Sequence, residues 1–206
     1  VFRATSPGRS KAVAIKVLRA TLASDEQFRK RFMREAQIIS GLEHPNIVSV
    51  IDFGDENGAY YIVMELLSGP DLSDLNKKEK QITLPNTIAM LRGVANALDY
   101  AHQHGLVHRD IKPSNVMLDS STIPARVVLT DFGIAKITDA HTRITNTGML
   151  GTFDYIAPEQ IQASAEVDSR ADIYALGVMA YQMLTGKLPF ERPNTGALLL
   201  AHLNAP

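Results

Sequence analysis

The spacing of apolar residues changes along this chain of 206 residues. Up to Leu67 they form short runs typical of strands, with one stretch of helical spacing between them, and after Asp71 they recur mainly at helical intervals. The Ser-Gly-Pro-Asp sequence at 68–71 is typical of a linker. The pattern predicts an α+β protein in which a small sheet with one helix precedes a mainly helical part.

The first part is predicted to hold four strands and one helix. Ser24 carries a capping signal for the helix, which places Phe32 and Ile39 on its inner face. The predicted strands are one around Phe2, one at 12–18 after a turn at 6–8, and two at 47–53 and 60–66 that flank a turn at 54–58.

Two charged residues stand out in these apolar elements. Glu35 falls on the inner face of the predicted helix, and Lys16 lies alone in an apolar strand. A buried carboxylate costs several kcal/mol unless it meets a cation, so Lys16 is a natural partner for Glu35. Alternatively, Glu35 lies at the margin of the apolar stripe and reaches water, while Lys16 faces outward from an edge strand.

The second part is predicted to be mainly helical, with one long loop. A helix carries Ile88, Leu91 and Leu98 and ends at Gly105. The run 173–184 is too short and too often interrupted for a membrane span, which needs about 20 apolar residues, so it predicts a buried helix. The polar stretch 131–159 is longer than structural loops usually are and indicates a regulatory or substrate-binding loop.

Composition and charge exclude several classes of protein. The hydrophobic fraction of 45% is ample for a core, and a net charge of −1 with dispersed lysines and arginines argues against nucleic acid as a partner. The chain has no cysteine, which excludes disulfides and thiolate metal sites and fits a reducing, cytoplasmic setting.

The densest chemistry lies between two strand-like runs, in the sequence His-Arg-Asp-Ile-Lys-Pro-Ser-Asn at 108–115. Asp110 can orient a hydroxyl, Lys112 can meet a phosphate, and Asn115 with the downstream Asp131 can offer oxygen ligands to Mg²⁺. These are the groups that phosphoryl transfer requires. Each tripeptide alone, His-Arg-Asp or Asp-Phe-Gly, could also be an ordinary polar turn.

Three histidines at 102, 104 and 108 raise the alternative of a metal site. His102 and His104 fall at a helix end where the sequence implies no supporting carboxylate. His108 is better explained as a packed residue that holds the turn before Asp110.

Taken together in this order, with Lys16 in Val-Ala-Ile-Lys and with Ala-Pro-Glu at 157–159, the motifs resemble the catalytic core of a protein kinase, above all the bacterial serine/threonine kinases of eukaryotic type. The resemblance covers nearly the whole chain. It implies a bilobal kinase fold in one domain, with an N-lobe at 1–67 and a C-lobe at 68–206. It also implies ATP as the phosphoryl donor, with Mg²⁺ or Mn²⁺.

The resemblance implies roles for individual residues. Lys16 would hold the α and β phosphates and be fixed by Glu35, Asp110 and Lys112 would act on the acceptor hydroxyl and the moving phosphoryl group, and Asn115 and Asp131 would hold the metal. Around the adenine it implies Met64 as gatekeeper, Glu65 to Leu67 as hinge, and Ala14 with Met117 on either side of the ring. Asp172 would accept backbone N–H bonds from the catalytic turn, and Val50, Ile39, Phe132 and His108 would form a packed spine, which generic core packing explains almost as well.

Lys112 and the Gly-Thr pair at 151–152 resemble the serine/threonine branch, so we expect protein Ser or Thr hydroxyls as substrates. Arg109 precedes the catalytic aspartate, where a cation could bind a phosphorylated loop. Autophosphorylation, including transfer between two kinase copies, is therefore expected in that loop. The regulatory candidates are Arg109, Thr142, Thr145, Thr147 and Thr152.

Two parts of the family pattern are not found in the sequence. The glycine-rich phosphate loop would precede Val1, and the last C-lobe helices would follow Pro206. We therefore expect a chain of these 206 residues alone to be a weak or inactive kinase. The alternative function is a pseudokinase scaffold, which the intact Lys16, Glu35 and Asp110 disfavour.

Overall fold

The computed structural model of the chain describes residues 1–5, 11–18, 26–79, 81–132, 153–162 and 167–205. Its first part contains a four-stranded antiparallel sheet in the order β1-β2-β4-β3. The α+β class and all four predicted strands are confirmed, with ends that differ by up to three residues. The strands are β1 Phe2–Ala4, β2 Val13–Val17, β3 Val50–Glu56 and β4 Ala59–Glu65.

The connection between β3 and β4 is tighter than the predicted five-residue turn. Strand pairing continues to Glu56 opposite Ala59, so only Asn57 and Gly58 lie outside it. Both adopt left-handed backbone angles, with φ of 53° and 79°. Two such residues match the twist of antiparallel strands, which is why the hairpin closes without the remaining residues predicted as turn.

One helix packs against this sheet. Helix α1, Glu26–Ser40, buries Phe32, Ala36 and Ile39 against the strands, and the Phe32 ring meets the edge of Tyr60 with centroids 6.3 Å apart. The predicted apolar face is therefore confirmed for Phe32 and Ile39. Ser24, the predicted start of the helix, lies outside the described residues.

The second part is mainly helical, as predicted. Its core is formed where Val94 and Leu98 of the long second-part helix pack with Met179 and Met183 of a later one, and all four are fully buried. The helices are α2 Leu72–Lys78, α3 Leu84–Gln103, α4 Pro158–Ile161, α5 Arg170–Thr185 and α6 Thr195–Asn204.

The prediction that the 173–184 run is buried all round is wrong. Ile173, Tyr181 and Leu184 of α5 are 56%, 47% and 41% exposed, as is Ile88 of α3 at 47%. These exposed residues of α5 lie along one strip of the helix, whereas Ala171, Ala175 and Met179 of the same helix are buried. A search of the described residues finds no helix with the length and hydropathy needed to cross a membrane.

A two-stranded hairpin joins the two parts. Strands β5, Val116–Asp119, and β6, Arg126–Leu129, pair with each other, and β6 also bonds to the segment before β3. The N–H of Leu129 donates to the carbonyl of Asn46 at 2.8 Å, and the N–H of Val48 donates to the carbonyl of Leu129 at 3.0 Å. The Asn46 amide donates to the Val127 carbonyl at 2.7 Å. The sheet and the helical part are therefore bonded directly through β6.

Candidate active site

The segment between α3 and β5 is held by a buried carboxylate. Asp172, in the first turn of α5, is 1% exposed and accepts the backbone N–H groups of His108 at 2.8 Å and Arg109 at 2.7 Å. The expectation that Asp172 anchors this turn is confirmed. Arg109 has φ of 61°, a conformation that a non-glycine residue adopts at a cost of about 1–2 kcal/mol, so these two bonds hold a strained backbone.

His102 is a third hydrogen-bond donor to the same carboxylate. Its Nε2 lies 2.8 Å from Asp172 Oδ2, and because an ionised carboxylate can only accept, the imidazole donates. The expectation that no carboxylate supports His102 is therefore wrong. The contact joins the end of α3 to the turn at 108–109, so this histidine serves the loop rather than a metal cluster.

His108 packs beneath the loop as a neutral imidazole. Its ring is fully buried, lies 4.7 Å from the Phe132 ring centroid, and burial lowers its pKa. Nε2 is 3.0 Å from the Thr130 carbonyl and must donate, while Nδ1 accepts the N–H of Asp110 at 3.2 Å. The ring therefore connects the catalytic turn to the strand end that carries Asp131.

Three predicted catalytic side chains meet above this support. Lys112 Nζ lies 3.1 Å from Asp110 Oδ2, and the Asn115 amide nitrogen donates to the Asp110 carbonyl at 2.8 Å and to its carboxylate at 3.3 Å. Asn115 is 5% exposed and ends a short 3-10 turn, Pro113–Asn115, which begins just after Lys112. The amide that fixes Asp110 leaves the Asn115 oxygen available as an acceptor.

Lys16 binds Asp131, which directly follows the residue whose carbonyl accepts from His108. The distance from Lys16 Nζ to Asp131 Oδ1 is 2.7 Å, with 33% and 41% of the side chains exposed. Asp131 has φ of 56°, which places it in the left-handed region like Arg109. This ion pair was not predicted, because the sequence offers several carboxylates to one strand lysine. Glu35 is half-buried on α1, and its pairing with Lys16 stays a prediction.

The side chains here fit a hard divalent cation. The Asn115 oxygen and the Asp131 carboxylate are oxygen donors of the kind that Mg²⁺ takes. No group of three or more His, Asp or Glu side chains within the described ranges could hold a metal alone. A Mg²⁺ ion at this position would therefore complete its shell with phosphate oxygens and water, which is its usual behaviour beside nucleotides.

An apolar cleft extends from Lys16 towards the linker. Ala14 pairs with Met64 across β2 and β4, and Ala14 is buried while Met64 and Met117 are partly buried. The walls beside Lys16 and Asp131 are formed by Ile39, Val48, Val50, Ile62, Met64 and Phe132. The cleft is thus lined by Met64, the predicted gatekeeper, and by the predicted spine residues Ile39, Val50 and Phe132. The Phe132 ring in turn contacts the ring of His108, the fourth predicted spine residue.

The linker has fewer free backbone groups for bonding a base than the sequence predicted. The Glu65 N–H already donates to the Ser49 carbonyl at 3.0 Å, so among its backbone groups only the carbonyl remains as a candidate for a base. Its carboxylate faces away, accepting the Ser49 N–H at 2.9 Å and the Arg126 guanidinium at 2.6 Å. Leu66 and Leu67 are the remaining residues of the predicted hinge.

Behind the linker, Arg126 also binds Asp119 at 3.2 Å, which makes a three-membered charge cluster with Glu65. Burial alone would raise the pKa of Asp119, but hydrogen bonds from Ser68, Ser121 and Arg126 hold it below its ordinary value. Sequence reasoning missed this cluster, because nothing in a charged β hairpin signals that it touches the linker.

The segment 153–162 lies beside the catalytic loop. Tyr155 donates its hydroxyl to Gln182 at 2.6 Å, and its pKa is raised by burial and by the neighbouring Asp154. Arg109 is exposed. Gly133 and the predicted regulatory threonines, Thr142, Thr145, Thr147 and Thr152, lie outside the described residues, so their roles stay predictions.

Comparison with known proteins supports the fold. The chain matches the Protein kinase domain family over residues 1–204. Serine/threonine-protein kinase pkn3 of Myxococcus xanthus is 43% identical over 209 residues, which cover 98% of this chain and 38% of that protein. The chain spans less than half the length of the curated relatives it matches.

Solved structures give the same result. A crystal structure of a PknI kinase domain double mutant from Mycobacterium tuberculosis has a TM-score of 0.76 and 36% identity, and the alignment covers 95% of this chain and 71% of that one. Rad53 1–466 in complex with AMP-PNP has a TM-score of 0.77 and 29% identity, covering 96% and 47%. The expected bilobal kinase fold is confirmed. With a family match along nearly its whole length, this chain belongs to the protein kinase domain family, among relatives that are bacterial serine/threonine kinases.

Proposed function

We propose that this domain transfers the γ-phosphoryl group of ATP to serine or threonine hydroxyls of proteins. The observation that carries the proposal is the cluster of Asp110, Lys112 and Asn115, joined by contacts of 2.8–3.3 Å, together with the Lys16–Asp131 ion pair. The domain thereby offers a carboxylate, two ammonium groups and oxygen ligands for a cation, and phosphoryl transfer needs positioned charge more than covalent chemistry.

In the proposed reaction the substrate hydroxyl oxygen attacks the γ phosphorus, and the bond to the bridging oxygen of ADP breaks. Asp110 orients the hydroxyl and takes its proton, and Lys112, 3.1 Å away, stabilises the charge on the phosphoryl oxygens. Lys16 binds the α and β phosphates. Bound Mg²⁺ neutralises phosphate charge, and Asn115 and Asp131 are the residues that would hold it.

The nucleotide proposal rests on the cleft and on one relative. Rad53 is similar to this chain along nearly all of its length and binds AMP-PNP, an ATP analogue. In this chain the buried Ala14 and the partly buried Met117 would bracket the adenine, Met64 would limit the depth of the cleft, and the Glu65 carbonyl and Leu67 would bond to the base. Mn²⁺ could replace Mg²⁺, because the same oxygen donors suit it.

The choice of serine or threonine follows from the relatives and from Lys112. Curated relatives such as pkn3 and PrkC of Bacillus subtilis are named serine/threonine-protein kinases. We infer further that the threonines of the loop after Asp131 are autophosphorylated, in trans between two copies, and that the phosphate binds the exposed Arg109.

The test is a phosphotransfer assay with the full-length protein, labelled ATP and Mg²⁺. We expect Asp110→Asn and Lys16→Met to abolish incorporation, whereas the exposed matched controls Asp55→Asn and Lys30→Met retain it. Equal incorporation in wild type and both site variants would exclude this mechanism. A wild type that transfers no phosphate would instead favour the pseudokinase scaffold.

The regulatory inference has its own test. Phosphopeptide mapping after incubation with ATP is expected to find phosphate between residues 139 and 152. Mixing Asp110→Asn protein with a small amount of wild type tests transfer in trans, since label on the inactive variant can come only from the active copy. Phosphate found only outside this range would overturn the inference.

A further inference from the structure

Gln160 connects the segment 153–162 to the catalytic loop. Its Nε2 donates to the backbone carbonyl of Arg109 at 3.0 Å, and its Oε1 accepts the backbone N–H of Ala157 at 3.1 Å. A carbonyl can only accept and an N–H can only donate, so the two partners together fix which end of the amide faces Arg109. Nothing in the kinase motifs of the sequence accounts for this glutamine.

The carbonyl that Gln160 binds belongs to the peptide group immediately before the catalytic aspartate. That peptide unit has two polar ends, the Arg109 carbonyl and the Asp110 N–H. The second end donates to His108 Nδ1 at 3.2 Å. With Gln160 on the oxygen and His108 on the nitrogen, rotation of the Arg109–Asp110 peptide plane breaks both bonds.

The same residue is restrained on its other side. The Arg109 N–H is bound by Asp172 at 2.7 Å, and φ of Arg109 is 61°, in the left-handed region. A strained backbone persists only where its surroundings over-determine it. Asp172 fixes the peptide that enters Arg109, while Gln160 fixes the peptide that leaves it, and only the second one leads directly into Asp110.

We propose that Gln160 is a positioning residue for Asp110. By holding the Arg109–Asp110 peptide plane it aims the Asp110 carboxylate at the acceptor hydroxyl, and it makes that aim depend on the placement of the segment 153–162. The proposal rests on the proposed phosphotransfer function. It adds a long-range link, across 51 residues of sequence, between the segment after the threonine-rich loop and the reacting group.

The expected kinetic effect is specific. A displaced Asp110 carboxylate orients the acceptor hydroxyl less well, which lowers kcat. No contact to the nucleotide is removed. Under the proposed function the phosphates are bound by Lys16 and by the cation that Asp131 would hold, and Gln160 bonds to neither residue, so the KM for ATP is expected to stay unchanged. A defect of folding or of nucleotide binding would not lower kcat while leaving the KM for ATP unchanged.

Two variants separate the two bonds. Gln160→Glu keeps an oxygen for the Ala157 N–H but sets a carboxylate against the Arg109 carbonyl, whereas Gln160→Leu removes both bonds at similar size. Gln162→Glu is the matched control, because Gln162 lies in the same short segment, is exposed, and its side chain has no hydrogen-bond partner within the described part of the chain.

The experiment measures steady-state peptide phosphorylation by the full-length protein, with thermal unfolding of each variant alongside. We expect Gln160→Glu to lower kcat by about tenfold and Gln160→Leu by about fivefold, with the KM for ATP within about twofold of wild type and Gln162→Glu unchanged.

The proposal is overturned if wild type is active and both Gln160 variants keep its kcat. It is also overturned if only the KM for the peptide rises, because Gln160 would then act in substrate docking. An inactive wild type would refute the proposed function and this inference with it, whereas an active wild type with unaffected variants would refute only this inference.

Discussion

Replacing Asp172 by asparagine is expected to destabilise the domain and its catalytic loop together. The carboxylate accepts three hydrogen bonds, with Oδ2 shared by His108 N–H and His102 Nε2 and with Oδ1 taken by Arg109 N–H. Asparagine has the same shape but only one oxygen. In either orientation its NH₂ group faces a backbone N–H, so at least one donor loses its acceptor.

The magnitude follows from burial. Asp172 is 1% exposed, so water cannot replace the lost acceptor. An unsatisfied buried donor costs about 1–3 kcal/mol, and a hydrogen bond to a charged group is worth about 1.5–3 kcal/mol, so we expect the free energy of unfolding to fall by about 3 kcal/mol. For a domain of this size that corresponds to a loss of about 6–12 °C in the unfolding temperature.

The assay is thermal unfolding of wild type and Asp172→Asn, followed by phosphotransfer at a temperature where both are folded. We expect kcat to fall as well, since Arg109 loses bonds that hold its left-handed backbone. Asp55→Asn, the same change at an exposed strand position whose side chain has no hydrogen-bond partner among the described residues, is expected to leave the unfolding temperature unchanged. If Asp172→Asn melted at the wild-type temperature, the reasoning about the buried carboxylate would be refuted.

Three further predictions concern stability. Gly93→Ala would place a Cβ 2.8 Å from Val127 Cβ, so we expect it to lower the free energy of unfolding by about 1 kcal/mol in urea titrations despite alanine's helix propensity, and a stabilised variant would contradict the packing. A double-mutant cycle of Glu65→Gln and Arg126→Gln is expected to give a coupling of about 1 kcal/mol that weakens in high salt, whereas additive effects would show no interaction. Burial lowers the pKa of His202 and His108 in the folded protein, so below the unfolded pKa of 6.5 the unfolded chain binds more protons. The free energy of unfolding is therefore highest above pH 6.5 and falls as the pH drops towards the folded pKa values. Urea titrations at several pH values should show that His202→Gln makes this fall less steep. A free energy of unfolding that stays constant from pH 7 to 5.5 would contradict the prediction.

The parts of this site that the sequence predicted are those carried by local patterns. Asp110, Lys112 and Asn115 lie within six residues, between runs whose apolar character anchors them, and the structure brings them together. Lys16 was recognisable because a lone lysine in an apolar strand is costly without a partner.

The parts that the sequence did not predict are contacts between residues far apart in the chain. Lys16 and Asp131 are separated by 115 positions, and His102 and Asp172 by 70. Which carboxylate meets a given cation depends on how the elements pack, and periodicity does not contain that information. The exposed side of α5 has the same origin, because composition shows that a helix is apolar but not how many of its sides find neighbours.

The bonds between β6 and the segment 46–48 limit how the sheet can move relative to the helical part. A rotation that keeps these bonds would have its axis near Val48 and Leu129, and the displacement would grow with distance from that axis. Asp131 follows Leu129 by two residues, at most about 7 Å, so a rotation of about 10° moves it relative to Lys16 by only about 1 Å. Strand β1, three strand spacings from β3, has a lever arm of about 14 Å and moves at least twice as far. Such a rotation would therefore displace the outer edge of the sheet while the distance between Lys16 and Asp131 changes little.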